Sequence, residues 1–355
     1  MENQKINFKV RTDLAYDSVE SYQSKEINGL IETKEVIDGV EITKHEVKEV
    51  ARDLLNKAPG LYYTIDLNNV NYHDHNVSKM LENIVAGVLL ELIENRNLKG
   101  KKALIVGLGN DNITPDAIGP YVIDNIIVTR HLDLNEELHD GYSVVAALSP
   151  GVMGTTGIET YDIIEAVRNK INVDYIIVVD ALASSSISRV NRTIQITDTG
   201  IQPGSGVGNK RKEISFNTMR IPVFAVGIPT VVDAVTIASN TLEYVIKHLN
   251  LEYNNEIPRL SKLSPGNNDI KYEELEEPHN EIKKQFLGQI GLLNESELRH
   301  LFEEVLTPSG CNLMVTSKDI DAEVEDLSKI VAWGINKALH ENIMEDSVWK
   351  KFLYW

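Results

Sequence analysis

Apolar positions along this chain follow two patterns, short unbroken runs and longer stretches with helical spacing. Ala103 to Val106, Tyr142 to Leu148, Tyr175 to Val179 and Ile221 to Val226 are runs of the kind that suits strands buried on both faces. Leu61 to Asp66 and Arg192 to Thr197 read as further strands, and a β-like segment with alternating charges covers about Leu30 to Ile42. Val77, Met80, Leu81, Ile84, Val85, Val88, Leu89, Leu92 and Ile93 define one face of a helix, with Asn76 or Ser78 able to cap it. Glu46 to Lys57 reads as a helix stopped by Pro59-Gly60. Ile118, Tyr121, Val122 and Ile126 predict another, with Thr114 as its N-cap and Pro115 at its first position. Thr156 or Thr160 would cap a helix running to Asn169. Gly227 to Thr230 reads as a loop before a helix to about Leu249, and a last helix lies between Ser317 and His340.

Strands alternating with helices of this length predict an α/β fold: a mostly parallel sheet, helices on both faces, and a smaller appended or inserted region. The α/β core is expected over 14–249. A polar, acidic insertion or arm follows over 250–300, where Tyr272 to Glu277 reads YEELEE, and a C-terminal helical region packing on the core over 301–355.

Composition narrows the function. At 355 residues the chain can bury a large core. A net charge of −18 argues against a general nucleic-acid-binding surface, which needs clustered Lys and Arg. Cys311 stands alone, so no internal disulfide is expected, as in a reducing cytoplasm. Met1 to Val10 has no apolar secretory core, and no apolar run approaches the roughly 20 residues of a membrane span. A soluble, cytoplasmic protein without membrane contact is the expectation.

The candidate chemistry lies at strand ends. Gly107-Leu108-Gly109-Asn110 breaks the first buried strand in a tight turn, which puts Asp116 in the first turn of the helix beyond it. Active sites of open α/β sheets collect there. A dinucleotide fingerprint fails, because Asn112 stands where its third glycine belongs. Asp180 repeats the placement at the end of another buried strand, followed by the small residues Ala181, Ala183 and Ser184. Two carboxylates facing each other across a sheet can share one proton and activate a water for attack on a carbonyl. The alternative is two separate aspartates that stabilise helix starts.

Other constellations are weaker. His73-Asp74-His75 has a spacing that could suit a metal but lies among turn residues, and His340-Glu341 lacks a second histidine. Gly204 to Lys210 departs from a phosphate loop at Asn209 and reads better as a mobile, substrate-contacting loop. Ser149 and Cys311 have no histidine at a nucleophile's spacing. Neither a cofactor nor a metal is expected.

GLGNDNITPDAIGP (Gly107 to Pro120), SPGVMGTTGIET (Ser149 to Thr160), VVDALAS (Val178 to Ser184), PGSGVGNKRKEIS (Pro203 to Ser215) and GCNLMVTSKDID (Gly310 to Asp321) resemble the germination protease of spore-forming Firmicutes. The resemblance covers nearly the whole chain. It implies an aspartic-type endopeptidase that degrades small acid-soluble spore proteins during germination. It also implies a homotetramer in the forespore and spore core, made as a zymogen, with catalytic residues Asp116 and Asp180. Thr12-Asp13-Leu14-Ala15 is similar to the family's substrate pattern, an acid before the cut, then a large apolar and a small residue. This implies a propeptide over 1–13, in a mobile polar arm, removed by self-cleavage of the Asp13–Leu14 bond. More distantly, the core resembles the hydrogenase-maturation peptidases, whose second acid falls at Asp116 but whose first is replaced by Pro115. Gly227 to Asp233 holds no histidine, so their nickel requirement is not carried over. The rival readings are a nickel-dependent maturation-type peptidase and a catalytically silent binding protein on the same fold. For the oxyanion, Asn110, a backbone N–H near Gly109 and a residue of the Gly204 to Lys210 loop are equal candidates.

Overall fold

The computed structural model describes residues 13–20, 27–204, 211–253, 275, 278–306 and 313–343. The chain divides into two compact units. The larger takes the described residues up to Val231 and those from Thr316 onward; the smaller runs from Val232 to Val315.

Among the described residues, nine strands form one sheet: β1 (Leu30–Ile37), β2 (Val40–Val47), β3 (Gly60–Asp66), β4 (Ala103–Gly107), β5 (Val145–Leu148), β6 (Tyr175–Ser184), β7 (Thr193–Thr197), β8 (Val223–Asp233) and β9 (Met314–Val315). Their order is β1-β2-β3-β7-β8-β6-β4-β5, with β9 on β8. β4 runs parallel to β5 and β6, whereas β1, β2, β3, β7 and β8 are joined by antiparallel pairings. The α/β class therefore holds, and the parallel centre carries an antiparallel flank. That flank begins in the charge-alternating segment, which is two strands folded at Asp38-Gly39. Both turn residues have positive φ, 50° and 87°, and such two-residue turns match the twist of a hairpin.

The central strands are continuous apolar runs because each of their faces is covered. Ala103 and Ile105 of β4, with Tyr175, Ile177 and Val179 of β6, face a core built with the helices His75–Asn95, Ile118–Ile123 and Ile320–Leu339. Leu104, Val106, Ile176 and Val178 point the other way, onto Tyr161 and Ile164 of the Thr160–Ile171 helix and onto Met219. Period-two alternation of side chains thus serves two apolar layers.

Several boundaries differ from the sequence reading. Asp74 caps the His75–Asn95 helix, accepting from the N–H groups of Asn76 and Val77 in place of a cap by Asn76 or Ser78. Glu46 to Lys57 is not one helix: β2 continues to Val47, and two short turns, Glu49–Ala51 and Arg52–Leu55, follow. Glu159, with no side-chain cap bond, precedes the Thr160–Ile171 helix. Gly227 to Thr230 is strand, entirely inside β8, because both of its faces are buried.

In the smaller unit, Asp233 starts the Ala234–Tyr253 helix by accepting from the Thr236 N–H at 2.8 Å and its hydroxyl at 2.6 Å. Arg299, from the Glu295–Leu306 helix, pairs with the same carboxylate at 3.2 Å. The acidic stretch 254–274 lies outside the described residues, and so do residues 1–12, Cys311 and the loop residues 205–210.

Candidate active site

β4 ends at Gly107, and the chain stays on the sheet for one more residue, the Leu108 N–H donating to the Val179 carbonyl at 2.8 Å. Gly109 then turns with φ 112°, so close to the next turn that a Cβ there would lie 2.0 Å from the Asp116 carbonyl oxygen. Only glycine fits both demands. The Asn110 N–H donates to that carbonyl at 3.0 Å, and the Asp116 N–H to the Ile113 carbonyl at 2.7 Å. Asp116 closes a 3-10 turn, Thr114–Asp116, and the α-helix starts only at Ile118. This corrects the expectation of a Thr114 cap: Ile113 holds the cap position, and no side chain caps the turn. Thr230, buried in β8, clamps the turn from below by donating to the Pro115 carbonyl at 2.6 Å.

Asp180 comes from inside β6, not from beyond its end, and is 7% exposed. Its Oδ1 accepts from the Ala181 N–H at 3.0 Å. Desolvation pushes the Asp180 carboxyl well above the usual carboxylate range, helped by the negative charges of Asp116 and Asp13. Desolvation also raises Asp116, to about 6, against the opposing pull of the Asn110 N–H and the positive charge of Arg211. The fold therefore gathers three carboxyl groups, from residues 13, 116 and 180, within electrostatic reach of the central one.

The third carboxyl was expected in a mobile arm, but Asp13 to Glu20 is docked. The Asp13 N–H donates to the Ala183 carbonyl at 3.1 Å, and its carboxylate accepts from the Ala183 N–H at 3.0 Å. Leu14 has no exposed surface, and the Ala15 N–H donates to Gln195 Oε1 at 2.6 Å. Farther on, buried Asp17 accepts from the Arg189 guanidinium and from the Ser185 N–H at 2.8 Å. Arg189 also stacks over the Tyr16 ring at 4.3 Å. On the other side of the Asp13–Leu14 bond, Lys57 Nζ donates to the Asp13 carbonyl at 2.7 Å.

A family model described as germination protease matches residues 9–351. The chain belongs to the germination protease family. It is thereby a protease, a hydrolase of peptide bonds. The germination protease of Bacillus velezensis is 44% identical, the alignment covering 98% of each chain. That of Oceanobacillus iheyensis is 45% identical, again over 98% of both. Among solved structures, the [NiFe] hydrogenase maturation protease HycI from Thermococcus kodakarensis KOD1 matches with a TM-score of 0.26 and 19% identity. It covers 40% of this chain and 80% of that one, a likeness too slight to bear on the reaction.

The weaker constellations of this protease have structural roles. His73 pairs with Asp326 at 2.5 Å beside the helix cap of Asp74. His340 is buried against Tyr142 and the Ile127 carbonyl. Among the described residues, no group of three His, Cys, Asp or Glu is arranged to hold a metal ion. Asn110 Oδ1 accepts from the Asn112 N–H at 3.1 Å, closing the turn. Three residues around the carboxyl cluster went unread in the sequence: Lys57, Gln195 and Arg211. Lys57 and Gln195 sit in no recognisable motif, and Arg211 falls within the Pro203 to Ser215 motif without a role being read for it. Only strand pairing and loop anchoring bring them to the site.

Proposed function

We propose that this chain is the zymogen of a germination endopeptidase that initiates degradation of small acid-soluble spore proteins, and that it removes its own propeptide at Asp13–Leu14. The observation that carries this reading is Asp180, buried and raised by the charges of both Asp116 and Asp13. A carboxyl that resists ionisation beside one that ionises near 6 is the division of labour an acid–base pair requires. In the proposed cycle, ionised Asp116 takes a proton from a water whose oxygen attacks the Asp13 carbonyl carbon. Asp180, still protonated, gives its proton to the Leu14 nitrogen as the C–N bond breaks. The products are the Asp13 carboxyl and the Leu14 amine. The same pair would cut spore proteins presenting an acid, a large apolar residue and a small one in sequence. The working form is proposed to be a homotetramer in the cytoplasm of the forespore and spore core.

The test is to incubate the purified full-length protein at a series of pH values spanning 6 and sequence the new N-terminus, alongside Asp116→Asn and Asp180→Asn. A product starting at Leu14 in the wild type and absent from both variants is expected. A mature terminus elsewhere, or the same cut in either variant, would overturn the reading.

A further inference from the structure

We propose that Lys57 is a catalytic residue, the cation that polarises the carbonyl of the bond to be cut and holds the oxyanion formed there. This rests on the reading of Asp13–Leu14 as that bond. The observation is the 2.7 Å hydrogen bond from Lys57 Nζ to the Asp13 carbonyl oxygen, the oxygen that gains charge when water attacks the adjoining carbon. Such a donor must be held in place before reaction and shielded from water. Lys57 is half-buried, and its neighbours fix its place. Its loop is tied at the N–H of Lys57 itself, which donates to the Arg52 carbonyl at 3.2 Å. The next carbonyl, of Ala58, accepts from the hydroxyl of buried Tyr62 at 2.7 Å. Leu55, just before the loop, and Tyr62, just after it, pack in one apolar cluster with Ala15. One small core therefore fixes the donor loop and the chain immediately beyond the bond together.

Desolvation lowers the Lys57 ammonium to about 8, the Asp13 charge partly restoring it, so it is largely charged at neutral pH and below. Poor solvation strengthens its field at the carbonyl oxygen. In the step, the water oxygen bonds to the Asp13 carbonyl carbon and its proton passes to Asp116. The π pair moves to the carbonyl oxygen, where Lys57 donates a hydrogen bond and keeps its proton. Collapse returns that pair as the C–N bond breaks and Asp180 protonates Leu14. Because Lys57 touches main chain and no side chain of the substrate in this contact, it would serve any bond seated there.

The experiment follows appearance of the Leu14 N-terminus in full-length Lys57→Met, Lys57→Gln and Lys57→Ala, with circular dichroism confirming the fold. A rate loss of roughly 10²–10³-fold is expected in each, the usual effect of removing one oxyanion donor. Propylammonium should restore part of the Lys57→Ala rate saturably, and propanol should not; a merely structural lysine would not respond to the charge. Loss of rate with no recovery in amine, in a folded variant, would overturn the proposal. Asp180→Asn in parallel separates the two readings. If Asp180→Asn is inactive and Lys57→Met processes at the wild-type rate, the Lys57 proposal alone fails. If Asp180→Asn still yields Leu14, or the cut falls elsewhere, the underlying reading fails and this one with it.

Discussion

Asp180 carries a cost that its proposed role explains. Its pKa is raised on folding, so its contribution to stability is fully present below the unfolded value near 4 and is lost as pH rises through the folded value. Asp116, raised to about 6, acts in the same direction between about pH 4 and 6. The wild type should therefore be less stable at pH 8 than at pH 5 as far as this pair is concerned. Asp180→Asn, which removes the buried charge, should raise stability at pH 8 by on the order of 1–3 kcal/mol while cleavage is lost. Thermal melts of both proteins at the two pH values check this; equal melting shifts at pH 5 and 8 would count against it. Self-processing should follow a bell-shaped pH profile, with an acid limb near 6 as Asp116 becomes protonated and an alkaline limb from Asp180. A rate that is flat through pH 6 would remove Asp116 as the base.

At the scale of elements, the site depends on three pieces meeting: the end of β4, the turn to Asp116, and β8 beneath. A Cβ on Gly107 would lie 2.2 Å from the Gly119 carbonyl oxygen, so the backbones of strand and helix pass too close for any side chain there. Gly109→Ala would force both a positive φ and a backbone overlap, and should cost more than about 2 kcal/mol and most of the activity. Thr230→Val keeps the shape but leaves the Pro115 carbonyl without its 2.6 Å donor. A destabilisation of roughly 1–2 kcal/mol is expected, with a fall in kcat, as the turn bearing Asp116 loosens. Chemical denaturation and single-turnover processing measure the two effects separately. An unchanged kcat would show that β8 does not position the turn.

Across the larger unit, the docked N-terminal segment is the feature that most affects behaviour. Leu14 and Ala15 are buried, and Asp17 is held by Arg189, so the chain beyond the Asp13–Leu14 bond is fixed by packing. Arg189→Met should free the segment beyond the bond, leaving a buried carboxylate without its cation. Processing in cis should slow about tenfold or more, and amide exchange at Ala15 and Tyr16 should speed up. Normal processing with fast exchange would mean that the segment need not be docked to be cut. EDTA should leave processing unchanged, and stoichiometric dependence on nickel would favour a metal mechanism instead. Cys311→Ser should keep activity and solubility.

Some of this could be read from local pattern. Apolar runs announced β4, β6 and β8 because a strand covered on both faces has no solvent side to mark with polar residues. The long helices His75–Asn95 and Ile320–Leu339 showed in their apolar spacing, although the middle of the first, Ile84 to Leu90, is buried all round. Asp180 stood out because it directly follows a buried apolar run, and Asp116 because it follows the glycine turn that ends one, features that need no knowledge of neighbours. The antiparallel flank was less legible, since its charge-bearing strands gain their partners only by folding back at Asp38-Gly39. That Asp13 and Lys57 join this pair could not be read at all. Asp13 lies 167 residues before Asp180, and Lys57 lies 44 after Asp13, in a loop with no motif. What brings them together is strand order, which sets β3 beside β7 and lays the N-terminal segment against β6. Likewise the pKa of a carboxyl depends on the water it loses and the charges it meets, and both are properties of the packed chain.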